Sequence, residues 1–205
     1  MSSILENINP KLMDHETRHE LVRAGLSHFF SIAMSSPLEM AGDEPEQLAS
    51  IIDEAPEYLQ SEIQNTADRW KEALAQKEDF KLAYATLFLG PFKIMAPPYA
   101  SFYLEPDHKL MGQVSDYVAN SYAEAGLIPG TGPRELPDHV ALEWEFIYFL
   151  LHQYFNTGDK KWLQRKEQFI QNHMAHWIPM FADAVRKASV HPFYDSVVTL
   201  MEKLM

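Results

Sequence analysis

Five consecutive residues, His15-Glu16-Thr17-Arg18-His19, set two histidines one helical turn apart with a glutamate between them. A helix with that spacing can offer two zinc ligands and a carboxylate base for hydrolysis. A hydrolytic zinc also needs a third protein ligand and an open coordination position. No His-x-x-Gly-x-x-His extension follows, and no strand is expected nearby to align a peptide substrate. The two histidines continue the apolar stripe of Val22, Leu26 and Phe29 toward the exposed helix end. A zinc-dependent hydrolase using His15, Glu16 and His19 is therefore the alternative reading, not the first. His173 and His176 form a second close pair, but two histidines do not close a metal site, and histidine suits a helix end. The chain has no cysteine, so disulfides, thiolate nucleophiles and cysteine-held metals are excluded. It also has no Gly-x-Ser-x-Gly elbow, phosphate-cradling loop or dinucleotide fingerprint.

The other group with chemical potential is Glu135-Leu136-Pro137-Asp138-His139. It ends the irregular run that begins at Gly130-Thr131-Gly132-Pro133-Arg134 and precedes one of the most apolar stretches of the chain, Val140 to Leu151. Glycine and proline forbid a helix up to Pro137. Asp138 can then cap the helix beginning there. The tripeptide Pro-Asp-His also occurs at Pro106-Asp107-His108, again before a helical pattern, where capping by Asp107 is the simpler account. At Asp138 the buried helix behind it and the nearby Glu135 favour a site as well as a cap. The geometry is expected to aim the Asp138 carboxylate outward, where it can hold an arginine by two parallel hydrogen bonds.

The elements that must position these residues are helical throughout. Three- and four-residue periods run from Asp14 to about Ser35, from about Glu44 through Ile52, from Pro56 to Leu74, and from about Asp79 to Leu89. Seven of the 13 prolines then fall between Pro91 and Pro137, and the stretch from Pro91 to Leu104 is an apolar, aromatic connection, not a polar loop. Further helices are expected over about 107–126, from Asp138 to about Asn156, from Asp159 until Pro179 interrupts near Trp177, over about 179–189, and after His191-Pro192. No run alternates as a strand would. The expectation is a single all-α domain over 1–205, an irregular bundle of about eight or nine helices, with a loose leader at 1–13 and a hinge loop at 127–137. The helix after Asp138 is apolar on nearly every side and belongs in its middle.

Composition narrows the partners. The 46% hydrophobic and 22% charged content is ordinary for a globular chain, and no apolar run approaches a bilayer span. A formal charge of −12 repels nucleic acid and favours basic partners. The first residues lack a basic start and an apolar signal core, so the expected location is the cytoplasm, without stable membrane insertion.

Four motifs in register then resemble one family. Leu87-Phe88-Leu89-Gly90-Pro91, Pro97-Pro98-Tyr99-Ala100-Ser101, Glu135-Leu136-Pro137-Asp138-His139 and His191-Pro192-Phe193-Tyr194 match the order and spacing of the TorD/DmsD-type redox-enzyme maturation chaperones of the NarJ-like superfamily. The resemblance spans about Asp79 to the C-terminus. It implies a cytoplasmic, non-enzymatic, cofactor-free helical chaperone. Such a protein binds the twin-arginine signal peptide of a molybdenum-cofactor oxidoreductase and holds it until cofactor insertion and folding are complete. It implies signal-peptide binding at Glu135, Asp138 and His139 and at Leu87, Phe88, Pro97, Pro98 and Tyr99, with Tyr84 and Phe92 where DmsD-like members carry tryptophans. In that branch a proline directly follows the glutamate; here Leu136 does, and the proline is displaced to Pro137. The hinge loop permits a helix-exchanged homodimer.

The residues alone support a compatible picture. A basic pair followed by an apolar run needs carboxylates beside an apolar groove. A helical scaffold with no peptide site is the remaining alternative.

Overall fold

The structure, a computed structural model, describes residues 13–35, 44–90, 94–127 and 135–205. The leader up to residue 12, most of the hinge loop and Phe92 lie outside the described residues. The fold is all-α. Helix α1 is His15–Ala33, α2 Glu44–Ala49, α3 Glu57–Ala75, and α4 Lys77–Tyr84 with a π turn, Ala85–Leu89, at its end. The short α5 is Ala100–Leu104, α6 is Gln113–Glu124 and α7 is Val140–Thr157. Helix α8 is one rod in three parts: Lys161–Phe169, a π turn Ile170–Met174, and Ala175–Ala188; α9 is Pro192–Leu204. Among the described residues the one β-type pairing is an isolated bridge between Tyr99 and His139.

Helix α7 is the axis of the bundle. Val140, Trp144, Ile147, Leu150 and Leu151 are fully buried along it. Its main partner is α1, whose Leu26, Phe30 and Ala33 face it, with Phe30 and Trp144 ring centroids 4.6 Å apart. Helices α3 and α9 form a second packed pair, joined through Trp70 and Phe193 at 5.5 Å. Each buried side chain of this size contributes roughly 1.5–3 kcal/mol relative to exposure. Gly158 ends α7 in the left-handed region at φ 68°, as a glycine after a long helix should.

Four local expectations need correction. The helix expected from Asp107 begins at Gln113 instead: Asp107 and His108 have φ of 59° and 55°, and the Glu105 carboxylate accepts the Val114 N–H at 2.8 Å. Glu105, not Asp107, therefore serves the first turn of α6. The cap of α7 is His139, whose Nδ1 accepts from Ala141 N–H at 3.2 Å, and not Asp138. The connection from Pro91 to Leu104 is not a connection throughout, since α5 occupies its last five residues. Pro179 does not interrupt its helix; it stands exposed within Ala175–Ala188, near the start of that segment, and the helix runs on past it.

Candidate functional site

Asp138, His139 and Tyr99 meet where two non-helical segments cross. Ala100 N–H donates to Asp138 O at 3.0 Å and Val140 N–H to Pro98 O at 2.8 Å, so the entries to α5 and α7 are laced together. The Pro137–His139 segment is tied further by the Tyr122 hydroxyl, which donates to Pro137 O at 2.8 Å.

The Asp138 carboxylate does not point outward. It is 0% exposed, accepting the Ser101 N–H at 2.8 Å on one oxygen and the Ser115 hydroxyl at 2.7 Å on the other. A carboxylate excluded from water must have both oxygens satisfied inside. Here the partners belong to α5 and α6, so Asp138 fastens three elements. The carboxylate that does face solvent is Glu135, which accepts the Tyr99 hydroxyl at 2.8 Å. Burial pushes the Tyr99 phenol well above its ordinary range, and the Glu135 carboxylate adds to this. Tyr99 thus stays a proton donor and fixes Glu135. Tyr84 is close enough for its phenol to act on Tyr99 electrostatically.

His139 is buried, with its ring edge-on to Tyr99 at 5.2 Å. Because its Nδ1 accepts from the backbone, the neutral ring carries its proton on Nε2. Burial holds its pKa below that of an ordinary histidine, against the opposing pull of Glu135 and Asp138.

The other expected site residues divide by exposure. Leu87 and Phe88 are buried, Phe88 against Tyr194 and Phe181 at 5.1 and 6.1 Å. Pro97 and Pro98 are buried too. Ala96 N–H donates to Leu87 O at 2.9 Å, which holds the extended proline segment against the π turn of α4. These four form the backing of the face. Tyr84 and Tyr99 are half-buried, and the apolar side chains open to solvent in the same segments are Leu89 (61%) and Met95 (45%). Phe92 lies outside the described residues.

One turn below His139, α7 carries Glu143, also 0% exposed. Its carboxylate meets His173 Nε2 at 2.6 Å and Trp177 Nε1 at 3.0 Å, both from α8. Burial pushes the Glu143 carboxyl up, and His173 and Trp177 pull it back only in part. This pair gives His173 a structural partner and accounts for it without a metal. The sequence did carry a signal for it: a glutamate in an otherwise apolar helix requires an internal partner. Ser101 and Ser115 had no comparable signal, being a motif neighbour and an ordinary helix serine.

His15 and His19 are ring neighbours at 4.0 Å near the start of α1, and among the described residues no cluster of three or more metal-ligating side chains is present. No described helix is long and apolar enough to cross a membrane.

Comparison with known proteins places the chain. The family model described as nitrate reductase delta subunit matches residues 49–183. The chain is similar to the chaperone protein TorD of Vibrio parahaemolyticus, 26% identical over 186 residues, covering 89% of this chain and 82% of that protein. The Tat proofreading chaperone DmsD of Salmonella typhi is 25% identical over 121 residues, covering 59% and 56%. Among solved structures, a chain described as a redox enzyme maturation protein from Archaeoglobus fulgidus superimposes with a TM-score of 0.52 at 23% identity, covering 88% and 91%, which bears on the fold alone.

Proposed function

This chain belongs to the nitrate reductase delta subunit family, and from that membership we propose that it receives the twin-arginine leader of a molybdoenzyme subunit and holds it until the client is complete. That it is a redox-enzyme maturation chaperone of the TorD/DmsD type, and not an enzyme, is given by the family and by relatives that are named chaperones.

The observation that carries the finer reading is Glu135. It is an exposed carboxylate, oriented by Tyr99, on a backbone crossing that Asp138 makes rigid. A guanidinium can bind such a carboxylate through two parallel N–H donors, where a lysine ammonium cannot. In the segments that lead to Tyr99, Tyr84, Leu89 and Met95 supply partly exposed apolar surface for the apolar run behind an arginine pair. Asp138 and His139 act from behind: they set the position of Glu135 and do not touch the guest. The acidic balance of the chain draws a basic leader in at long range.

The test is titration of the protein with a synthetic peptide carrying an Arg-Arg pair and an apolar run. Binding is expected to weaken about tenfold when the pair becomes Lys-Lys and again in Glu135→Gln, consistent with loss of a charge-assisted contact. Equal affinity for both peptides would reject the arginine-pair reading.

A further inference from the structure

Between α5 and α6 the chain turns through eight residues, Glu105 to Gly112. Three of them that are not glycine sit in the left-handed region: Asp107 at φ 59°, His108 at 55° and Met111 at 66°. That conformation is sterically costly for a non-glycine residue, so a loop with three such residues must be braced from outside. The braces are visible. Glu105 accepts the Val114 N–H and lies so close over Gly112 that a Cβ there would stand 2.7 Å from its oxygen. His108 Nδ1 is 2.8 Å from Phe102 O, and the two rings stack at 4.5 Å. Both stems end on Asp138, through Ser101 and Ser115.

The side chains this braced backbone holds out to water are apolar. Leu110 is 42% and Met111 59% exposed, adjacent at the tip. Strain maintained by several independent contacts collects at ligand clamps. We propose that the Leu110–Met111 tip is a further docking point, in addition to Tyr84, Leu89 and Met95, for the apolar run of the leader whose arginine pair meets Glu135; the inference rests on that reading of the site.

Two observations tie the tip to this occupant. The tip and Glu135 hang from the same carboxylate: Asp138 lies three residues after Glu135 and grips both stems of the loop. Their relative placement is therefore fixed: Glu135 is bonded to Tyr99 at the start of α5, and the loop leaves from its end. The second observation is charge. Asp107 and Asp116 are exposed on either side of the tip and outnumber the one exposed cation there, Lys109, on a chain of net charge −12, which suits an apolar segment introduced by cations. Methionine, unbranched and polarizable, also accepts varied apolar shapes, as a leader receptor requires.

The experiment uses the full chain with Leu110→Ser and Met111→Ser together, and two peptides: one with an Arg-Arg pair and a leucine-rich run, the other with the same pair and a serine-glycine run. The double variant should lose about tenfold in affinity for the first peptide, keep its affinity for the second, and melt with the wild type. The Met111 methyl resonance should shift with the first peptide and not with the second. Tyr58→Ser, an equally exposed apolar position on α3, should change nothing. If the wild type binds the first peptide and the double variant binds it equally, or the Met111 methyl does not move, the tip has no such role while the arginine reading stands. If the wild type binds neither peptide, both fall.

Discussion

The Asp138 carboxylate accepts the hydroxyl of Ser115 at 2.7 Å, across 23 residues of chain. With its second bond to Ser101, this contact turns a residue that looks like a ligand into a fastener. The distinction is measurable. Asp138→Ala leaves a buried N–H and hydroxyl unpaired and should cost about 2–4 kcal/mol in urea unfolding. Glu135→Gln should leave stability within about 0.5 kcal/mol, the usual range for an exposed change, while weakening the peptide. A stable Asp138→Ala protein would contradict the fastening role.

Glu143 should be the least replaceable carboxylate of the chain. Glu143→Ala strands the His173 ring and the Trp177 indole N–H inside the core, and removal of one partner from a buried pair costs about 3–5 kcal/mol. Glu143→Gln retains an acceptor and should cost less than half as much. Calorimetric melting of both variants provides the ranking, and a Glu143→Ala protein that melts with the wild type would refute it.

Gly112→Ala should destabilise by about 1–2 kcal/mol. At φ 145° a Cβ is strained in any case, and it would also displace the Glu105 carboxylate from Val114. The fingerprint is local: faster amide exchange at Val114 with little change elsewhere.

Acid should loosen the α1–α7 contact through His28. Burial against Tyr148, at 4.8 Å between rings, lowers its pKa to about 4. A histidine with a depressed folded value contributes stability that is full above its unfolded pKa, near 6.5. That stability is lost as pH falls toward 4, because only the unfolded chain takes up the proton. The side chain is not wholly enclosed, so solvent screening limits the effect to roughly 1–2 kcal/mol. His139, also depressed by burial, acts in the same direction, while Glu143, whose pKa is raised by burial, opposes both. In His28→Gln the slope of stability against pH between 6.5 and 4 should flatten; an unchanged slope would exclude His28 as a source.

Much of the fold was legible because helices are local. The steps Val22, Leu26, Phe29, Phe30 and Ala33 mark a buried stripe, and the unbroken apolarity from Val140 to Leu151 marks the axis. The motif around Glu135 was legible as a place, but not the direction of its side chains. Nothing near Asp138 in the chain announces Ser101 and Ser115, 37 and 23 residues away, and a capping aspartate and a buried anchor share one local pattern. Asp107 misled for the opposite reason. Its neighbour Glu105 is a poor cap by type, yet its longer side chain reaches Val114 from outside the helix. His173 looked like a helix-end residue until Glu143 was brought to it by the packing of α7 on α8.

The π turn at Ile170–Met174 has a consequence for how this chain can vary. Each residue of an α-helix turns the next by about 100°. A widened turn holds one residue more than regular α geometry would, and everything downstream is set by that surplus. Deleting that surplus residue would close the turn to α geometry and leave Trp177, Phe181 and Val185 facing the core, whereas deleting one between the turn and Trp177 would turn them by about 100° and take the indole away from Glu143. Within α8 the π turn is therefore the one place where a change in residue number can be absorbed without moving the core face.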